Sequence, residues 1–124
     1  MLSQDSIQSI SHLFCGDTEG FYSYKTGPKL VDFFNQYFNS KDIYAPGFPS
    51  RWIYVYNKLI ELFNNNSIDS FFDIILSKQF LMNDLNISMV EAAEKSEIIS
   101  NEINRIVKRD YYSLSFINGA YHLI

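Results

Sequence analysis

"SMVEAAEKSEIISNEINRIVKRDYYSLSFINGAYHLI" spans residues 88–124, and a change of period inside it decides the fold class. Ser88 and Glu91 make the S-x-x-E capping box: the serine accepts from an orphan amide of the first turn and the glutamate reaches back to the cap. Ala92, Ile99, Ile103, Ile106 and Val107 then recur as one buried stripe, and Lys108 and Arg109 follow where positive charge suits a helix end. Beyond them the period falls to two. YYSLSF and YHLI alternate on either side of Asn118-Gly119, the dipeptide that best accepts the positive φ angles of a two-residue type I′ turn. The spacing predicts a helix over 89–109 and a hairpin over 111–124. Leu114 opposite Leu123 and Phe116 opposite Tyr121 should form an apolar face on the helices, while Ser115 and His122 share the other face. An isolated hairpin needs cover along its edges. Its outer residues Ser115, Ile117, His122 and Ile124 are therefore the expected contact for a following domain or a second chain. Such an ending also fits a module that stands at the front of a longer protein.

Upstream the pattern is helical. Ser3 or Asp5 caps a helix over 3–14, whose Ile7, Ile10, Leu13 and Phe14 share a face until Gly16 stops it. Residues 16–26 read as a loop or short extended piece. Pro28 suits the first turn of a helix over 28–38, and Leu30, Phe33, Phe34 and Tyr37 give it an apolar face. Pro46, Gly47 and Pro49 make a loop, after which Ser50 caps a helix over 51–64 carrying Trp52, Val55, Tyr56, Leu59 and Phe63. Ser67 caps a shorter helix over 67–78, with a strand as the alternative for FFDIIL. The expected fold is mainly α: one compact bundle of about five helices, residues 1–124, closed by a C-terminal β-hairpin.

Composition bounds the function. The chain has 124 residues, 47% of them hydrophobic and 17% aromatic, enough for a single core and too few for a second domain. With 14 acidic and 10 basic residues the net charge is −4, which argues against nonspecific binding to nucleic acid or anionic membrane. One cysteine, Cys15, cannot form an intramolecular disulfide, and the N-terminus lacks the basic flank and apolar run of a signal peptide. A reducing, cytoplasmic setting is expected.

Candidate chemistry is sparse. His12 and Cys15 lie three apart on the first helix, yet two ligands do not make a metal site. Ser115 opposite His122 has no residue in sequence to orient the imidazole. Asp17 and Glu19 read as solvated or capping carboxylates. No phosphate-binding loop, zinc-protease or calcium-loop pattern occurs, so no catalysis, cofactor or metal is expected.

The stretch "KTGPKLVDFFNQYFNSKDIYAPGFPSRW", residues 25–52, holds all three prolines. Two helix starts fall within it, and each presents unpaired amides with partial positive charge. If they converge, Lys25, Lys29, Ser50 and Arg51 would hold a small anion against Tyr44 and Phe48. On the competing structural reading, Phe48 and Trp52 pack on the core, the prolines set the entry angle of the helix, and Arg51 is dispensable.

"GPKLVDFFNQYF", "DIYAPGFPSRW" and "EINRIVKRDYYSLSFINGAYHLI" together resemble the small N-terminal domains of bacterial abortive-infection and related phage-defence proteins, where they precede an effector domain. The resemblance implies a helical module with a terminal hairpin that senses, regulates or mediates assembly for a toxic effector. No effector motif is present: Arg51, Arg105 and Arg109 lack a histidine at the R-x4–6-H spacing of the defence ribonucleases. The implied partner is an effector domain or another protein, with homo-oligomerisation and a small anionic ligand as further outcomes, and no membrane. A winged-helix nucleic-acid module competes, with residues 98–109 as reading helix and Asn118-Gly119 as wing tip. The acidic total, Glu97 and Glu102, and a wing tip without Lys or Arg count against it.

Overall fold

The computed structural model describes all 124 residues and contains six α-helices followed by a two-stranded antiparallel sheet: α1 (Gln4–Cys15), α2 (Gly27–Phe38), α3 (Arg51–Asn64), α4 (Ile68–Ile75), α5 (Lys78–Leu85), α6 (Met89–Val107), β1 (Leu114–Ile117) and β2 (Ala120–Leu123). The chain is mainly helical with a C-terminal hairpin, as its pattern predicts. Both halves of the capping box form, each at 3.2 Å, between Ser88 and Glu91. Residues 108–110 tighten into a 3₁₀ turn, so the long helix ends two residues earlier than expected.

Ser77 accounts for the sixth helix. Its hydroxyl donates to the Ile74 carbonyl at 2.7 Å and accepts from the Phe80 amide at 3.2 Å, closing α4 and opening α5. The single helix expected over 67–78 is therefore two helices, and the strand alternative for FFDIIL does not occur. The eight residues of α5 contain one fully buried side chain, Leu81, too few to register as a period. Ser50 and Ser67 occupy their predicted capping positions without making a side-chain capping bond, whereas Ser3 accepts from the Ser6 amide.

Phe14, Phe34, Phe71 and Phe72 are completely enclosed and sit with Ile10, Leu59, Ile99 and Ile103 in one core. Phe14 meets Phe33 at 4.8 Å and Phe71 at 5.4 Å between ring centroids, so α1, α2 and α4 interlock through aromatic edges and faces. The loop after α1 contributes Tyr22, whose hydroxyl donates to the Ile75 carbonyl at 2.7 Å in the interior. Gly16 ends α1 at φ 81°, where a Cβ would stand 2.1 Å from the Ser23 carbonyl oxygen. Only glycine lets residues 16–24 fold back this closely.

The hairpin register is the one expected from Asn118-Gly119: Leu114 pairs with Leu123, Ser115 with His122, and Phe116 with Tyr121, around a turn with φ 52° and 84°. One side-chain expectation fails. Leu114 is buried, but Phe116 is 64% exposed, at the wall of an open groove shared with α5 and α6. β2 lies along α4 and β1 touches α6.

Candidate functional site

The two helix starts of residues 25–52 do converge, and a side chain of the protein fills the space between them. Arg51, in the first turn of α3, donates from Nε to the Lys25 carbonyl and from Nη2 to the Cys15 carbonyl, both at 2.6 Å, and from Nη1 to Asp17 Oδ1 at 2.9 Å. Its guanidinium also lies 4.0 Å from the centre of the Tyr24 ring. Three of its N–H groups and one face of the plane are used. Beside it, the Tyr44 ring packs so closely on Gly27 that an added Cβ would approach it to 2.3 Å, and Tyr44 and Phe48 are 4.7 Å apart. Phe48 and Trp52 pack against the core, as the structural reading of the stretch requires. Arg51, far from dispensable, ties α3 to the end of α1 and to the chain just before α2.

Lys25 faces both ways. Its carbonyl meets Arg51, while its ammonium turns inward to Asp84 Oδ1 at 2.8 Å and to the carbonyls of Phe14 at 3.2 Å and Ser23 at 3.1 Å. Those three contacts use its three protons. The side chains of Lys25 and Asp84 are 6% and 7% exposed, and the ammonium stands 4.8 Å from the Phe14 centroid and 5.1 Å from that of Tyr22. Burial holds the Lys25 ammonium below its ordinary value, and the attraction of Asp84 recovers only part of the difference. Asp84 also accepts from the Ser23 amide and hydroxyl, each at 2.9 Å. This cluster forms the floor of a groove of about 330 Å³ between α2 and α5, with Lys29 exposed at its rim. Lys25 and Lys29 therefore belong to this groove; Ser50 and Arg51 do not.

Each histidine has a carboxylate that the sequence did not reveal. His12 Nδ1 lies 2.8 Å from Asp17 Oδ2, and the ring stacks on Trp52 at 5.2 Å. Burial, the largest single influence on Asp17, pushes its carboxyl up, but hydrogen bonds from His12 and Arg51 and their charges together bring it below the ordinary value. The other face of His12 borders a recess of about 240 Å³ with Ser9, Thr18, Glu102 and Arg105, where Arg105 is held by Glu102. At the hairpin, His122 Nδ1 lies 3.2 Å from Asp69 Oδ2. Cys15 is wholly buried, which pushes its thiol up to about 12. A thiol held protonated at neutral pH is no nucleophile. No group of three His, Cys, Asp or Glu side chains is placed to hold a metal ion.

The hairpin edges are occupied by side chains. On β2, the Leu123 amide donates to Asp69 Oδ1 at 2.9 Å and the Tyr121 amide to Asp73 Oδ1 at 3.2 Å, two carboxylates one turn apart on α4. On β1, Asn104 accepts from the Leu114 amide at 2.7 Å and donates to its carbonyl at 3.1 Å, imitating a neighbouring strand. Ser113 and Ile124 extend the ladder by exchanging backbone bonds at 2.7 and 2.9 Å. The edge expected to lie open is largely closed. Ser115 and His122 are half-buried, Ile117 and Ile124 are exposed, and a groove of about 400 Å³ separates Phe116 and Tyr121 from Ala93 and Ser96 of α6 and Lys78 of α5.

Of the three basic residues of the supposed reading helix, the two arginines are engaged within the chain, and Lys108 is exposed. Arg109 donates to Ser6 Oγ, Ser9 Oγ and the Ile106 carbonyl, and Arg105 is bound to Glu102. No helix is long and apolar enough to cross a membrane. No protein family, curated protein or solved structure matches the chain.

Proposed function

We propose that the chain is a non-catalytic regulatory or interaction module that docks on an effector domain or partner protein through the groove between its hairpin and α6. The observation that carries this reading is a contrast between how polar and large apolar side chains are used. Arg51, Lys25, Asp69, Asp73, Asn104 and Arg109 are bound within the fold. Large apolar side chains are nevertheless exposed: Phe116 lines the groove, Ile117 follows it in the strand, and Met89 precedes the groove residue Ala93 by one helical turn. Exposed aromatic and methionine side chains next to a concave surface are the usual anchors of protein contacts. The reading agrees with the resemblance to domains that precede effectors in abortive-infection proteins. Because side chains cap both strand edges, docking proceeds by packing into the groove, with little strand addition.

A photo-crosslinking amino acid in place of Phe116, in bacterial cells producing the protein, tests this directly. It should give a discrete adduct that is absent when the same group replaces the exposed Lys41 and is lost in Met89→Asp. No adduct at position 116, or turnover of RNA, DNA or nucleotides by the purified chain that disappears in His12→Ala, would refute the reading.

A further inference from the structure

We propose that the groove between α2 and α5 binds a neutral polyhydroxyl ring, the chemistry shared by a free sugar and by the ribose of a nucleoside. The groove shares no residue with the docking surface and does not depend on it. Its floor is rigid: Lys25 and Asp84 are nearly enclosed and saturated with each other and with Ser23. A saturated floor offers an incoming anion no free proton. The charges of the lining also cancel, Lys25 and Lys29 against Asp32 and Asp84, which removes the drive for any strongly charged ligand.

The mouth is built differently from the floor. Lys29, Asp32 and Gln36 project from successive turns of α2 and Asn83 from α5, and none of these side chains has a hydrogen bond or ion pair within the chain. Lys29 and Asp32 are opposite charges one turn apart that nevertheless do not pair. Together they supply an ammonium, a carboxylate and two planar amides, so donors and acceptors alternate around one opening. Vicinal hydroxyls, each able to donate and accept, match such a set. Tyr37, 42% exposed and 5.0 Å from Phe33, adds an aromatic face against which the C–H side of a sugar ring can lie. The volume of about 330 Å³ sits at the lower limit of small-ligand sites and fits one ring.

Amide chemical shifts of the labelled whole chain test this, with titration by a panel of hexoses and pentoses, a parallel titration with adenosine and uridine, and glycerol at matched concentration as the control. Saturable shifts confined to residues near 23, 32, 36 and 83, with millimolar affinity, are expected for the sugars, for the nucleosides or for both; the responding arm identifies the source of the ring. Asp32→Ala and Asn83→Ala, both at exposed positions without internal partners, should weaken binding at least fivefold and leave the melting temperature unchanged. Shifts no different from glycerol in both arms overturn the proposal, as does binding that persists in both variants or occurs only with phosphate or an amino acid.

Discussion

Arg51→Ala separates the guanidinium clamp from the anion site expected for residues 25–52. The substitution removes three hydrogen bonds from the guanidinium, to Cys15, Asp17 and Lys25, and its stacking on Tyr24. The side chain is 24% exposed, so each bond is discounted for solvent screening to about 1 kcal/mol, below the range for buried charged donors. The stacking adds roughly 0.5 kcal/mol. Part of the loss is softened because the Cys15 carbonyl keeps the Lys25 amide as a donor. A net destabilisation of about 3 kcal/mol is expected, or a fall in Tm of roughly 10 °C for a domain of this size. Arg51→Lys should recover only a fraction, since an ammonium cannot reach three acceptors in a planar fork. Urea denaturation followed by circular dichroism gives the numbers, with Lys29→Ala as a surface control expected within about 0.5 kcal/mol of wild type. Wild-type stability in Arg51→Ala, together with thermal stabilisation by phosphate that the variant loses, would refute the clamp and restore the anion site.

Gly16→Ala should cost at least about 2 kcal/mol, because it combines a left-handed backbone with a Cβ driven into the Ser23 carbonyl, whereas Gly20→Ala, with open space around it, should cost about 1 kcal/mol; equal melting temperatures for the two variants would contradict the close approach. Asn104→Ala should destabilise by about 2 kcal/mol by leaving the buried Leu114 amide unpaired. Hydrogen exchange should show the loss first at Leu114, and unchanged protection there would show that the amide finds another partner. Asp17 and Asp42 both titrate below their ordinary values in the fold, the latter chiefly through its hydrogen bond from Lys58. The unfolded chain therefore takes up those protons first, so their stabilisation is present above about pH 4 and is lost as pH falls through the folded values. Asp42→Asn should flatten the acid limb of stability against pH, and an unaltered limb would show that the pair with Lys58 contributes nothing.

Periodic features were legible in the residues alone. The capping box at Ser88, the stripe of α6, the apolar faces of α1 to α3 and the Asn118-Gly119 turn follow from local chemistry, because backbone geometry fixes which side chains share a face and which residues tolerate positive φ. α5 was not legible: its single buried residue has meaning only against α6, and the serine that divides it from α4 looks like any other polar residue. The hairpin shows the same division within one motif. Its register is local, but the burial of Leu114 and the exposure of Phe116 depend on how the helices pack beside it. The candidate sites lay almost wholly beyond sequence reading, because their bonds join distant residues: Arg51 to Cys15, Lys25 to Asp84, His122 to Asp69 and Asn104 to Leu114. Charge type and approximate position can be read from a linear chain. Which acceptor each donor meets is set by how the helices pack, and only the tertiary structure decided that Arg51 closes the space an anion would have entered.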